Sequence, residues 1–194
     1  RPPAALWILG DHARDVAPWL EAWKNVDVFE RHFSTIAADL DLGNPRARLL
    51  AFEVALFHTL GDFGWKATNV VPIGLGAVAL EVARGQFASN DLAAKIKAPF
   101  SPLGDLDARA RKLVDGIRGE TGIACIDLSG ESDVSLAVER AMGGDESAHF
   151  VSAIEGSDPL LPLLRSLYLA GYALDWKKVG VHLGGQRIEL PTYA

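Results

Sequence analysis

A helix, a turn, a strand and a sharp glycine elbow are predicted, in this order, by the stretch Leu50-Ala-Phe-Glu-Val-Ala-Leu-Phe-His-Thr-Leu-Gly-Asp-Phe-Gly-Trp-Lys-Ala-Thr-Asn-Val-Val-Pro-Ile-Gly-Leu-Gly76. Asn44 and Pro45, just before this stretch, predict the N-cap and first position of the helix. Apolar residues at helical spacing predict its buried stripe: Leu49, Phe52, Leu56, Phe57, Leu60 and Phe63. Glu53 interrupts the apolar stripe; a buried position is one alternative, and an exposed flank is the expected one. No serine stands at the elbow.

Strands and helices alternate on either side of this stretch. Short apolar runs predict strands at Ala5–Leu9, Asn69–Ile73, Ile123–Leu128 and 149–154. Asp27 and Glu30 resemble a capping box that opens a helix running to Leu40, and further helices are expected at about 77–84, 105–118 and 158–170. The alternation predicts an α/β fold with a parallel sheet covered on both faces.

Composition excludes several classes of protein. The chain has 194 residues, 49% of them hydrophobic and 23% charged, which predicts one globular core. Its net charge of −6 and the lack of a basic block argue against nucleic acid as a partner. No apolar run approaches the roughly 20 residues that span a bilayer, and no signal peptide is recognised, so a cytoplasmic location without membrane contact is expected.

Two segments of the tail carry a resemblance to a known family. Leu167-Tyr-Leu-Ala-Gly-Tyr-Ala-Leu-Asp-Trp176 and Gly184-Gly-Gln-Arg-Ile-Glu-Leu-Pro-Thr-Tyr193 are similar, in order and separation, to the linker after the acyltransferase domains of modular polyketide synthases. Val28-Phe-Glu-Arg31, the stretch from Leu50 to Gly76, and Ile123-Ala-Cys-Ile-Asp-Leu-Ser-Gly130 fit family segments in the same order. The chain therefore resembles an acyltransferase domain with its linker.

The resemblance implies a fold and a division of the chain. The expected fold is a three-layer parallel sheet with flanking helices, like the large subdomain of malonyl transacylases. The ferredoxin-like small subdomain of the family looks deleted, because Phe87-Ala-Ser-Asn-Asp91 is followed closely by Ala98-Pro-Phe-Ser-Pro-Leu103. Residues 1–155 would form the acyltransferase-like core. Residues 156–194 would form a C-terminal helix and a linker that packs back on the core.

The same resemblance implies that the acyl-transfer chemistry is lost. Family members need a Ser on a strained strand-to-helix turn, a His as base and an oxyanion site. Here Gly74 falls at the nucleophile position and Phe100 at the position of the catalytic histidine. Asp11, within Gly10-Asp-His12, replaces the glutamine of the family's oxyanion loop, and its carboxylate would repel a developing oxyanion. No catalytic residue of the family reaction is therefore expected.

The residues present leave two other kinds of site open, an acid/base pair and an anion site. Asp11 and His12 follow a predicted parallel strand, at the edge where α/β sheets bind ligands, so they form a possible acid/base pair. Gly74-Leu-Gly76 opens a helix and could bind an anion through backbone N–H groups. His32 and His58 lie on predicted helices and are interpreted as surface or boundary residues. No metal site and no cofactor are predicted.

Two functions follow as expectations. The first is a non-catalytic acyltransferase remnant of a modular polyketide synthase, a pseudoenzyme within a transferase that makes a natural product such as an antibiotic. It would serve as a scaffold or docking surface for an acyl carrier protein, a neighbouring domain or a separate acyltransferase that loads the assembly line in trans. The alternative is an enzyme of new type that acts on a carrier-bound polyketide near Asp11 and His12. Loss of the small subdomain would leave apolar surface near Gly74, Leu75, Phe87 and Phe100, to be covered by a partner or by local rearrangement.

Overall fold

The computed structural model describes residues 4–9, 16–66, 69–72, 74–86, 92–98, 108, 111–112, 114–115, 123–127, 132–143, 148–151 and 159–182. Within them the helices are α1 (Ala17–Trp23), α2 (Asp27–Ala37), α3 (Pro45–Asp62), α4 (Leu75–Ala83), α5 (Leu92–Lys97), α6 (Ser132–Met142), α7 (Leu160–Leu169) and α8 (Trp176–His182). The strands are β1 (Ala4–Leu9), β2 (Asn69–Pro72), β3 (Ile123–Asp127) and β4 (Ala148–Val151).

The four short strands pair in parallel in the order β2-β1-β3-β4. Strand β1 lies between β2 and β3, with Leu6 opposite both Asn69 and Cys125. Leu9 lies opposite Pro72, so β1 and β2 end level with each other at their carboxyl ends. Helix α4 follows β2 and packs against both of these strands.

Helix α3 begins as the sequence predicts but is buried differently. The Asn44 side chain accepts a hydrogen bond from the Arg46 N–H at 2.9 Å, with Pro45 in the first turn, which confirms the predicted N-cap. The prediction of a single apolar stripe is wrong, because every residue from Leu49 to Leu56 is buried. A helix that is enclosed on all sides belongs to the interior of a protein. Glu53, predicted on an exposed flank, is fully buried with the rest.

The expected three-layer parallel sheet with flanking helices is wrong for this structure. Helices hold most of the described residues. The strands are four to six residues long, whereas α3 alone has 18 residues. Because every residue of α3 from Leu49 to Leu56 is buried, this helix is part of the core and not a helix that flanks a sheet. The overall architecture therefore does not support the expected similarity to the large subdomain of malonyl transacylases.

The main core is built largely of helix packed on helix. Helix α3 packs against α2 on one side and α4 on another. Aromatic rings fill the seam between α1, α2 and α3: Phe29 lies 5.3 Å from Trp23 and 5.5 Å from Phe52, measured between ring centroids. Tilted aromatic pairs at such distances stabilise a core beyond the area that they bury.

Helix α2 begins without the predicted capping box. Its N-cap position is Val26, in an extended conformation, and no side chain caps the helix. Asp27 and Glu30 instead both lie in the first turn, where their negative charges interact favourably with the helix dipole. The Glu30 carboxylate accepts a hydrogen bond from the Ser34 hydroxyl at 3.0 Å, which occupies the side chain that a capping box would have used.

The segment between α7 and α8 folds back on the end of α3. The Asp175 N–H donates to the Phe63 carbonyl at 2.8 Å. Gly64 has φ +91°, and a Cβ added to it would lie 3.1 Å from the Asp175 nitrogen, so this approach requires glycine. Trp65 is 2% exposed and packs edge-on against Tyr172 at 6.4 Å. The predicted boundary between residues 155 and 156 lies outside the described residues and stays a prediction.

Candidate functional site

The turn between β2 and α4 is the candidate site that sequence and structure share. Gly74 occupies the N-cap of α4 with φ +52° and ψ −114°. Residues that carry a side chain rarely adopt a positive φ, so the sharp change of chain direction here depends on glycine. The Gly74 carbonyl accepts a hydrogen bond from the Ala77 N–H at 3.2 Å, which closes the first turn of the helix.

The elbow has the backbone of a strained strand-to-helix turn but no side chain. In hydrolases and acyltransferases that use such a turn, the residue at its tip supplies a hydroxyl for nucleophilic attack. Gly74 has no side-chain atom that could form an acyl-enzyme bond. No side chain caps the helix, and no acidic residue lies in its first turn. The turn thus has the backbone conformation of a nucleophile-bearing elbow but lacks the nucleophilic side chain.

The apolar surface expected beside the elbow is covered at Leu75. This residue is 0% exposed and belongs to the main core, as do Val78 and Ala79 on the same helix. Gly74 itself is only partly exposed. At Leu75 the chain thus covers its own apolar surface.

The other residues predicted for the site belong to segments outside the described residues. Asp11, His12 and Phe100 lie outside the described residues, as does Phe87. Their proposed roles, including the acid/base pair of Asp11 and His12, stay predictions. What the structure does bring together is the carboxyl end of β1 at Leu9 and that of β2 at Pro72.

A cluster that sequence reasoning missed joins α2 and α3. The His32 Nε2 atom lies 2.9 Å from Asp62 Oδ2, and the His32 and His58 rings lie 5.2 Å apart. Burial lowers the pKa of His58 below 6.5, and the neighbouring His32 lowers it further, while Asp62 acts in the opposite direction. His58 and Asp62 are four residues apart on one helix, and this spacing was the available signal.

The His32 cluster fits a structural role at the helix seam. Both histidines were interpreted as surface or boundary residues, and His32 is partly exposed, with 26% of its side chain accessible. Among the side chains that the structure describes, no group of His, Cys, Asp and Glu is arranged to hold a metal ion. The contacts instead connect the two helices that frame the aromatic core.

Comparisons with protein-family descriptions, with curated proteins and with solved structures gave no match to this chain. Helices within the described ranges were also assessed for membrane crossing. None of them combines the necessary length and apolar character.

Proposed function

We propose that this chain is a non-catalytic remnant of a polyketide synthase acyltransferase domain, retained as a scaffold or docking surface. Its partners would be an acyl carrier protein, an adjacent domain or a separate acyltransferase, in the cytoplasm. The observation that carries the proposal is the conformation of Gly74, a positive-φ strand-to-helix elbow without a nucleophile.

The proposal rests on local geometry and on sequence motifs, since the overall architecture departs from the expected sheet. A turn between a strand and a helix does not in general require a backbone conformation that only glycine adopts without strain. Its presence at the position where the resemblance puts the nucleophile supports descent from an enzyme. Gly74 provides no nucleophilic side-chain atom with which acyl transfer could start.

The C-terminal contacts support a role as a fixed framework. Asp175 and Trp176 belong to the segment that resembles the linker after acyltransferase domains. Asp175 is hydrogen-bonded to the end of α3, and Trp176 packs edge-on against Tyr168 with ring centroids 5.3 Å apart. A linker fixed against the core holds neighbouring domains at a defined position, which is what a scaffold requires.

Binding measurements test the docking role. The chain would be immobilised and titrated separately with the carrier protein, the adjacent domains and the separate acyltransferase of the same assembly line. We expect saturable binding of at least one of them, with a Kd of about 100 μM or tighter. The Gly61→Ala variant, altered on an exposed part of α3, serves as a folded control and should bind equally.

Two results together would refute the docking role. One is the absence of saturable binding to all three classes of partner. The other is unchanged product formation after this domain is excised from the parent synthase. If product formation instead requires Asp11 and His12, as judged by Asp11→Asn and His12→Ala, the enzymatic alternative replaces the proposal.

A further inference from the structure

Two histidines lie next to each other across the seam between α2 and α3. The ring centroids of His32 and His58, here called the histidine pair, are 5.2 Å apart. Asp62 lies one turn after His58 on α3, and its Oδ2 atom is 2.9 Å from His32 Nε2. An ionised carboxylate only accepts hydrogen bonds, so the Nε2–H of His32 is the donor in this contact. Three titratable groups from two helices thus meet at one place in the seam.

The histidine pair has compensation for one positive charge but not for two. A proton that binds to Nδ1 of His32 creates an imidazolium whose Nε2–H already donates to the Asp62 carboxylate. A proton on His58 then adds a second imidazolium, and Asp62 is the one carboxylate among the described groups that act on His58. Only 26% of the His32 side chain is accessible, so solvent screens this repulsion incompletely. The second proton is therefore opposed.

The burial of His58 acts in the same direction as this repulsion. Burial lowers the pKa of His58 and the neighbouring His32 lowers it further, while Asp62 acts in the opposite direction. A group with a lowered pKa in the closed structure binds a proton more readily where the structure has opened. Protonation of His58 therefore favours conformations in which α2 has moved away from α3.

Other acidic groups on the neighbouring elements have contacts elsewhere. Helix α3 packs against α2 and α4, and its end is joined by the segment around Asp175. Glu53 is five residues before His58 and so lies on a different face of α3. The exposed Asp27 lies in the first turn of α2. The remaining carboxylates of these elements have the following contacts: Glu30 with Ser34 at 3.0 Å, Glu81 with Lys95 at 2.9 Å and Asp175 with Lys178 at 3.9 Å.

Basic groups on these elements stand apart from the pair in different ways. Arg31 precedes His32 on α2 and is exposed. Arg46 and Arg48 belong to the first turn of α3, ten or more residues before His58. Arg84 follows the last turn of α4. The charges that act on His58 are those of His32 and Asp62.

The two halves of α2 are held by different contacts. Phe29 anchors the first half, because it is 1% exposed and its ring lies 5.5 Å from that of Phe52. Phe33 and Ile36, in the second half, are only partly buried against the core. The contact of His32 with Asp62 is therefore a larger part of what holds this half on α3. We propose that the histidine pair is a pH-sensitive switch, which keeps the second half of α2 on α3 until a second proton releases it.

Titration of the imidazole NMR signals tests the coupling within the pair. His32→Gln keeps an amide N–H that can donate to Asp62 but cannot take up a proton. We expect this variant to raise the pKa of His58, because His32 lowers it in the wild type. Asp62→Asn should lower the pKa of His58 further, because it removes the one opposing charge. His182→Gln, which removes a histidine from α8, is the matched control and should leave the titration of His58 unchanged.

Amide hydrogen exchange tests the release of α2. The exchange rates of the Phe33 and Ile36 amides, corrected for the intrinsic effect of pH, would be compared at about pH 7.5 and about pH 5. We expect the opening equilibrium to rise at least about threefold on acidification, which corresponds to a pKa difference of about half a unit. The Val179 amide on α8 is the internal control and should change less. The increase should be largely lost in His32→Gln, and Asp62→Asn should shift it to higher pH.

Contrary results are equally specific. Circular dichroism at both pH values would verify that each variant is folded. A purely structural contact predicts that His32→Gln and Asp62→Asn change the pKa of His58 in the same direction or not at all, and this result overturns the switch. So does a pH dependence at Phe33 and Ile36 that is the same in the wild type and in His32→Gln, or one that Val179 shares in full.

Discussion

The substitution Gly74→Ala tests the backbone conformation on which the elbow depends. Gly74 has φ +52° and ψ −114°, which an alanine adopts only under strain. Holding a non-glycine residue in such a sparsely populated region costs on the order of 1 to 3 kcal/mol. For a domain of this size, each kcal/mol corresponds to roughly 2 to 4 °C in Tm. We therefore expect Gly74→Ala to lower the Tm by about 2 to 12 °C in differential scanning calorimetry.

Gly61→Ala is the matched control for this experiment. Gly61 lies in α3, it is exposed, and an added Cβ would have no atom within 4 Å. Alanine is favoured over glycine in a helix by roughly 0.5 to 1 kcal/mol, so this variant should be more stable than the wild type. Both substitutions restrict the unfolded chain in the same way. The difference between them therefore reports the native conformation at Gly74.

The opposite result would refute the strained elbow. If Gly74→Ala matches or exceeds the stability of the wild type, residue 74 tolerates a side chain and its backbone is not strained. The resemblance to a nucleophile-bearing turn would then lose its structural support. Urea unfolding at 25 °C provides an independent measurement, and the slope against urea should stay constant across the variants.

Three further predictions concern the framework around the site. Gly64→Ala should lower the free energy of unfolding, measured in urea, by about 2 to 4 kcal/mol, because the new Cβ would meet both a backbone φ of +91° and the Asp175 nitrogen at 3.1 Å. A loss below about 1 kcal/mol would contradict this packing. Asn44→Ala should lower it by about 1 kcal/mol through loss of the cap to Arg46, and an unchanged urea midpoint would show that the cap is not formed. His58 has a lowered pKa in the folded chain, so the unfolded chain binds more protons and the free energy of unfolding should fall as the pH drops below about 6.5. The His58→Gln variant should show a weaker dependence of stability on pH in this range. Greater stability of the wild type at lower pH would contradict the lowered pKa of His58.

Local features of this fold were predictable where one residue type determines the geometry. Asn44 and Pro45 predicted the start of α3, and the structure has the expected hydrogen bond to Arg46. Gly74 was predicted at a strand-to-helix elbow, and its positive φ requires glycine there. In both cases the signal depends on a few neighbouring residues and not on the rest of the fold.

Global features were not predictable in the same way. Glu53 was expected on an exposed flank, because a carboxylate is rarely buried, yet every residue of α3 from Leu49 to Leu56 is buried, and Glu53 with them. The prediction of a three-layer parallel sheet is wrong because helices hold most of the described residues. Periodicity within one helix does not reveal how many neighbours will pack against it.

The histidine cluster shows the same limit at the level of a site. His58 and Asp62 were separated by one helical turn in sequence, but their partner His32 comes from another helix. The contact of 2.9 Å between His32 and Asp62 depends on how α2 and α3 are arranged. Contacts between distant segments need the tertiary structure, whereas caps and turns do not.

A malonyl loading assay tests the absence of acyl-enzyme chemistry most directly. The folded chain would be incubated with radiolabelled malonyl-CoA, denatured, separated from free label and counted, with an active malonyl transacylase as the positive control. Because Gly74 offers no hydroxyl, we expect no saturable covalent label on this chain while the positive control is labelled to about one equivalent. Saturable labelling that survives denaturation would contradict a non-catalytic role.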